Sequence, residues 1–260
     1  MLQSISPRNF MKKIFSIICC SSILLADSFN YYFFSIKENY KEYYLGSTID
    51  RDYNSFGDLN GIGIKYTKNY YYSNIYIISE ASYGKSIYNG AYQDGEKLIT
   101  HQSNVQIYNL LIGINTNPYL LELGYRFWNR GESNNPGDYD EQYYWPYIGV
   151  GIQNLLVFNN SFFVKYTLKY NYAFSPKLKV LLGNNPTIDL GTTTGAQAQI
   201  SFSKKFNYKY KIGIFYRYVY WHINRSNEIN LIYNGKTYKI FEPESETRNQ
   251  YIGIYLQKSF

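Results

Sequence analysis

The sequence has few residues that could support redox or metal chemistry. Among its 260 residues are only two cysteines, Cys19 and Cys20, and only two histidines, His101 and His222. Both cysteines lie in the amino-terminal segment, so a chain processed after that segment has no disulfide and no thiolate metal ligand. The acidic loop residues show no calcium-loop spacing. We therefore expect no metal site and no cofactor.

Long hydrophobic runs and dense basic runs are also missing. The mean hydropathy is −0.39, and the apolar run that starts at Ile14 is shorter than the roughly 20 residues of a transmembrane helix. The net charge is +7, but no Lys/Arg cluster and no nucleic-acid motif accompanies it. We therefore expect no nucleic-acid partner.

The amino terminus has the organisation of an export signal. Lys12 and Lys13 precede a short apolar core, and small residues follow at the positions where a signal peptidase cuts. We predict a signal peptide over residues 1–28, cleaved after Ala26 or Ser28, with Met11 as an alternative start. Residues 29–260 are then one domain.

Most of that domain alternates between apolar and polar side chains, which is the pattern of strands with two different faces. The clearest segment, 162–174, places only aromatic and aliphatic residues on one face and Lys165, Thr167, Lys169 and Asn171 on the other. We interpret 29–39 as a lead-in because its parity is irregular. The predicted strands are 43–49, 59–67, 75–83, 104–115, 119–127, 144–154, 162–174, 196–206, 210–222 and 251–260.

The connections between these segments alternate in length. Short turns at 68–74, 115–118, 158–160 and 207–209 alternate with long loops at 50–58, 84–103, 130–142, 175–195 and 224–247. In the last loop, Asn234-Gly235 predicts a hairpin with a type I′ turn. Alternating short turns and long loops are typical of membrane barrels, whose averaged hydropathy is low because the lipid and lumen faces alternate.

The last segment, Tyr251 to Phe260, alternates in the same way and ends on an aromatic residue. It resembles the closing strand of small bacterial outer-membrane β-barrels of the OmpA/OmpX/Opa-like class, in which a terminal Phe is the assembly signal. The resemblance implies an all-β, antiparallel, up-and-down transmembrane barrel in a Gram-negative outer membrane, here with ten strands and with eight or twelve as alternatives. It also implies three partners: outer-membrane lipid, lipopolysaccharide and the barrel-assembly machinery.

Charged residues on the inward parity are the candidate lumen residues. Basic groups outnumber acidic ones, which allows two interpretations. A filled interior with an internal ion-pair network is favoured for so small a barrel, and a narrow anion-selective pore is the alternative. The candidates are Lys65, Glu80, Glu122, Arg126, Lys165, Lys169, Lys205, Lys211 and Arg217.

Tyrosine is unusually abundant, with 33 copies. Tyr and Trp favour the headgroup level of a bilayer, so Tyr70–Tyr72 predict one aromatic girdle and Tyr143–Trp145 the other. Trp128, Trp145 and Trp221 are alternatively candidates for stacking on a ligand.

Catalytic motifs match only in part. His101-Gln102-Ser103-Asn104 resembles the His-x-Ser-Asn element of outer-membrane lipid A deacylases, but the nearest downstream acid, Glu122, lies a strand later. The acidic pairs at 50–52 and 138–140 resemble those of outer-membrane aspartyl-type proteases, but the Asp-x-His element is missing.

We therefore predict a non-enzymatic, surface-exposed barrel with long external loops and an unidentified extracellular ligand. The alternatives are a narrow, weakly anion-selective, porin-like channel and a lipid A-modifying enzyme.

Overall fold

The computed structural model describes residues 27–91, 97–133 and 139–260. The predicted signal peptide, apart from Asp27 and Ser28, lies outside the described residues, as does Asp138. Within these ranges, no helix is long and apolar enough to cross a membrane.

In the described ranges, ten antiparallel strands form a closed barrel. Each strand pairs with its sequence neighbour around the wall, and β1 closes the ring against β16 over ten register pairs, from Ser28↔Ser259 to Lys37↔Gln250. The predicted ten-stranded up-and-down topology is confirmed. The barrel strands are β1 (Ser28–Lys37), β4 (Leu59–Asn69), β5 (Asn74–Ala91), β6 (Lys97–Thr116), β7 (Tyr119–Asn129), β8 (Glu141–Val157), β9 (Phe162–Ala173), β12 (Thr193–Lys205), β13 (Tyr210–Ile223) and β16 (Glu244–Ser259).

Six shorter strands lie at the long-loop end, four of them paired to the wall and two in a separate hairpin. β2 (Asn39–Tyr44) and β3 (Ser47–Tyr53) pair with each other and bridge β16 to β5, while β10 (Lys177–Val180) and β11 (Thr187–Asp189) extend from β8. β14 (Ile229–Tyr233) and β15 (Lys236–Ile240) form the hairpin predicted from Asn234-Gly235, and both turn residues have positive φ.

The first predicted strand was wrong. Residues 43–49 form the tip of the β2–β3 hairpin, with its turn at Leu45-Gly46, while the supposed lead-in 29–39 contains β1. The parity of β1 was hidden because both of its faces are aromatic: Tyr31 and Phe33 are exposed on the outside, and Tyr32 and Phe34 point inward. The predicted loops 50–58, 84–103 and 175–195 also proved to be partly strand.

The outer face of the barrel is a band of exposed apolar side chains. On β16 the band consists of Ile252, Ile254 and Leu256. Towards the long-loop end, the polar residues Arg248 and Gln250 take its place. Tyr71 and Tyr72, at the short β4–β5 turn, are 90% and 85% exposed. Such a band with an aromatic border is the surface that a lipid bilayer covers. The upper girdle was wrong in part, because Tyr143 and Trp145 are buried inside the barrel.

Glycines make room for large aromatic side chains on the inner face. At Gly63, Gly113, Gly124 and Gly213, an added Cβ would clash with the ring of a tyrosine directly across the strand pair. Each ring therefore lies flat over a glycine on the adjacent strand, which rescues the poor packing of glycine in a sheet. The opposed tyrosines are Tyr32, Tyr76, Tyr147 and Tyr255.

Candidate functional site

Two buried ion pairs cross the middle of the lumen. Arg217 on β13 donates two hydrogen bonds to Glu80 on β5, at 2.6 and 3.1 Å, and Tyr32 donates a third at 2.8 Å. Lys169 on β9 pairs with Glu122 on β7, which also accepts a 2.7 Å hydrogen bond from Tyr76. Arg217 and Glu80 join facing parts of the wall, whereas Lys169 and Glu122 lie on the two strands that flank β8. Together the contacts satisfy both of these carboxylates.

A polar cavity of about 520 Å³ lies between these ion pairs and the short-turn end. Its wall runs from Ser28 and Ser259, at the short-turn edge of the barrel, to Tyr147 and Trp221. Amide and hydroxyl side chains supply most of the remaining lining, from Asn30, Asn69, Asn74, Gln153, Thr167, Gln197, Gln199, Ser201, Ser203 and Gln257. We call it the lumen cavity.

Above the ion pairs, four large aromatic side chains fill the bore. Trp128 and Trp145 are fully buried, Trp221 is 2% exposed, and Tyr147 is 6% exposed. The Trp145 and Tyr147 rings lie 5.2 and 5.5 Å from the Trp221 ring in edge-on contacts. Aliphatic side chains such as Ile107 and Val219 pack into the same core. We call these four aromatic residues the aromatic plug. All three tryptophans of the chain belong to it and pack in the core.

At the long-loop end, three carboxylates pair with one arginine, and two tyrosines connect a fourth carboxylate to them. Arg130 pairs with Glu42 and Glu141 at 2.7 Å each and also with Asp52. On the far side, Glu242 Oε1 accepts hydrogen bonds from Tyr40 and Tyr143, both at 2.9 Å. We call this set the rim cluster; its members are Tyr40, Glu42, Asp52, Arg130, Glu141, Tyr143 and Glu242.

Burial makes the rim cluster retain protons. Desolvation raises the pKa of Glu42 to about 7, with Arg130 opposing the shift. It raises the pKa of Asp52 to about 6, again against Arg130. The pKa of Glu242 is raised well above its usual range by burial and by the Glu42 and Glu141 carboxylates. One guanidinium cannot compensate the three buried carboxylates of Glu42, Asp52 and Glu242, so the cluster holds part of its charge as protonated acid.

The structure brings together eight of the nine predicted lumen residues. Lys65, Arg126, Lys165 and Lys211 line the lumen cavity together with the two ion pairs. Lys205 is the exception: it is exposed next to the short β12–β13 turn, because the lumen widens into solvent there. Sequence reasoning missed the rim cluster because Tyr40 and Glu42 lie between the predicted lead-in 29–39 and the predicted strand 43–49. Its other charged members lie in the predicted loops 50–58, 130–142 and 224–247. The Tyr-x-Glu spacing at Tyr40 and Glu42 was the available signal.

The candidate catalytic residues are dispersed. His101 and Ser103 are exposed on β6, and Ser103 donates to the Glu132 carbonyl at 3.4 Å. Asp50 accepts from Tyr88, whereas His222 lies beside Asn224 and Glu244. Among the described residues, no group of three or more His, Cys, Asp or Glu side chains could hold a metal ion.

Solved structures of bacterial outer-membrane proteins are similar to this fold. The barrel is similar to the outer-membrane protease OmpT from Escherichia coli, with a TM-score of 0.50 and 13% identity over 90% of this chain and 97% of that one. Neisserial surface protein A (TM-score 0.39, 10% identity, 89% and 97% covered) and the transport unit of the autotransporter AIDA-I from Escherichia coli (0.41, 10%, 98% and 100%) also match. No family model and no curated protein matches the sequence. The chain therefore has the fold of bacterial outer-membrane β-barrels.

Proposed function

We propose that this chain is an integral protein of the Gram-negative outer membrane whose barrel is closed to transport. Its short-turn end faces the periplasm and its long-loop end faces outward, as in membrane barrels generally. The protein is non-enzymatic, and its extended hairpins present a surface to an extracellular ligand.

The observation that supports a closed barrel is the aromatic plug. A conducting pore needs a continuous water path, and small barrels have interiors that side chains can fill. Here Trp128 and Trp145 are fully buried across the bore, and two ion pairs lie beneath them. The plug rings block the bore, and the ion pairs narrow the path beneath them.

The test is single-channel conductance of the refolded protein in a planar bilayer. We expect no discrete openings from the wild type, with heat-modifiable gel mobility as proof that the barrel has folded. Trp145→Ala/Trp221→Ala, which removes two plug rings, should conduct and so shows that the assay can detect an open bore. Steady openings of the wild type would overturn the proposal and favour the anion-selective alternative.

A lipid A-modifying activity is disfavoured because the candidate base, His101, lacks a carboxylate partner among the described residues. His101 and Ser103 share one exposed face of β6, and within the described residues no carboxylate forms a hydrogen bond with His101. An altered lipid A profile in the native host that disappears in Ser103→Ala would restore this alternative.

A further inference from the structure

The charges that line the lumen cavity do not balance. Six cationic side chains line it. Within the described chain, Glu80 and Glu122 are its only carboxylate side chains away from the short-turn edge, and Arg217 and Lys169 already pair with them. The third lining carboxylate side chain, Asp27, pairs with Lys68 at 3.0 Å at the short-turn edge of the barrel. Four cations are left over: Lys65, Arg126, Lys165 and Lys211.

None of these four makes an ion pair within the described ranges. Lys65 and Lys211 lie over the rings of Tyr76 and Phe163, at 4.0 and 4.7 Å. Lys165 has neither a hydrogen bond nor a ring contact in the part of the chain that the structure describes. Three ammonium groups therefore share one compartment whose nearest carboxylate, Glu122, is already paired with Lys169.

Arg126 adds a second, independent observation. Its side chain is 2% exposed, and its only hydrogen bond among the described residues runs from Nη1 to the Asn109 carboxamide at 3.3 Å. Its Nε and Nη2 have no acceptor among the described residues. Buried N–H groups without an acceptor are costly, and these two lie in the wall of the same cavity.

We propose that the lumen cavity is a periplasm-facing binding site for a small multivalent oxyanion, a phosphate- or carboxylate-bearing molecule. The lysines supply point charges, and the guanidinium fork of Arg126 suits two oxygens of one group. The surrounding amides and hydroxyls supply further donors. The aromatic plug closes the far end, so the site is a blind pocket rather than a conduit, but binding itself does not depend on that closure.

The test is isothermal titration of pyrophosphate, and separately of citrate, into the refolded protein in a neutral maltoside detergent at low salt. Saturable binding that weakens as chloride is added is the expected result. Lys165→Gln should weaken it at least about tenfold, because one charge contact at about 4 Å is lost, and Lys165→Arg should retain it. Lys236→Gln, on the exposed outer hairpin, is the matched control and should bind like the wild type.

Two outcomes overturn the proposal. One is the absence of saturable heat from either anion with a barrel that is folded by gel mobility. The other is unchanged affinity in Lys65→Gln/Lys165→Gln/Lys211→Gln, which would place any binding outside the cavity. Preference for pyrophosphate or for citrate then decides between a phosphate and a carboxylate ligand. Neither result depends on conductance, so failure here is separable from failure of the closed-barrel proposal.

Discussion

The Glu80–Arg217 pair offers the sharpest test of how the lumen is held together. Its side chains are 4% and 10% exposed, so solvent screens the pair little. Replacing Glu80 with leucine removes four hydrogen bonds, two from Arg217 and one each from Tyr32 and Asn109, and leaves the Arg217 guanidinium buried without its carboxylate. Breaking one side of a buried pair in this way costs about 3–5 kcal/mol of unfolding free energy.

The double variant Glu80→Leu/Arg217→Met should recover most of that loss, because two apolar side chains of similar volume need no counter-charge. We expect a coupling energy of at least about 2 kcal/mol in the double-mutant cycle. The assay is urea unfolding in lipid vesicles, followed by tryptophan fluorescence and gel mobility.

The control is the exposed pair Lys177–Asp189, whose side chains are 39% and 79% exposed. Asp189→Ala should change the unfolding free energy by less than about 1 kcal/mol. If Glu80→Leu costs no more than this control, or if the double variant is as unstable as the sum of the singles, the lumen is hydrated and the buried-pair reasoning fails.

Other measurements test the rim and the wall. Gly124→Val should destabilise the barrel by about 1–3 kcal/mol, because its Cβ would overlap the Tyr147 ring; Gly124→Val/Tyr147→Ala should recover part of this in the same urea assay, and full stability of the single variant would contradict the packing. Burial, and to a smaller extent repulsion from Asp52, raises the pKa of Glu38 to about 8. A raised carboxyl pKa means that the folded state binds the extra proton, so stability is highest at low pH and falls as pH rises from about 5 to about 8. Urea midpoints at pH 6 and 8.5 should show this loss. Glu38→Gln should reduce it but not abolish it, because the raised pKa values of Glu42 and Glu242 contribute in the same direction. A midpoint that rises with pH would refute the sign.

The wall was predictable because a lipid-facing strand has to alternate. Segment 162–174 shows this, since its outward positions meet lipid and its inward positions meet water, and its predicted bounds differ from β9 by one residue. The inward parity of Lys65, Glu80, Glu122 and Arg217 followed from the same rule. Where that physical cause is absent, as in β1 with two aromatic faces, the pattern carries no parity signal and the prediction failed.

The partners across the lumen could not be predicted. Periodicity tells which face a residue occupies, but not which residue lies opposite it in a closed barrel. Arg217 meets Glu80 across 137 positions of sequence, and Tyr40 meets Glu242 across 202. The packing of Tyr76 and Tyr147 over Gly113 and Gly124 depends on strand register, which the sequence alone left open.

The two ends of the lumen carry opposite charge, and this bears on the anion-channel alternative. An anion entering at the short-turn end finds four cations that make no ion pair with the described residues. Beyond the aromatic plug it meets Glu42, Asp52 and Glu141 around a single arginine, with Glu242 nearby. A pore selective for anions needs a favourable field along its whole length, and the rim cluster opposes one as its carboxyls ionise. The bore opened by Trp145→Ala/Trp221→Ala should therefore pass current asymmetrically, with anion preference that declines as pH rises from 6 to 8.5. Symmetric, pH-independent anion currents would show that the rim cluster lies outside the conduction path.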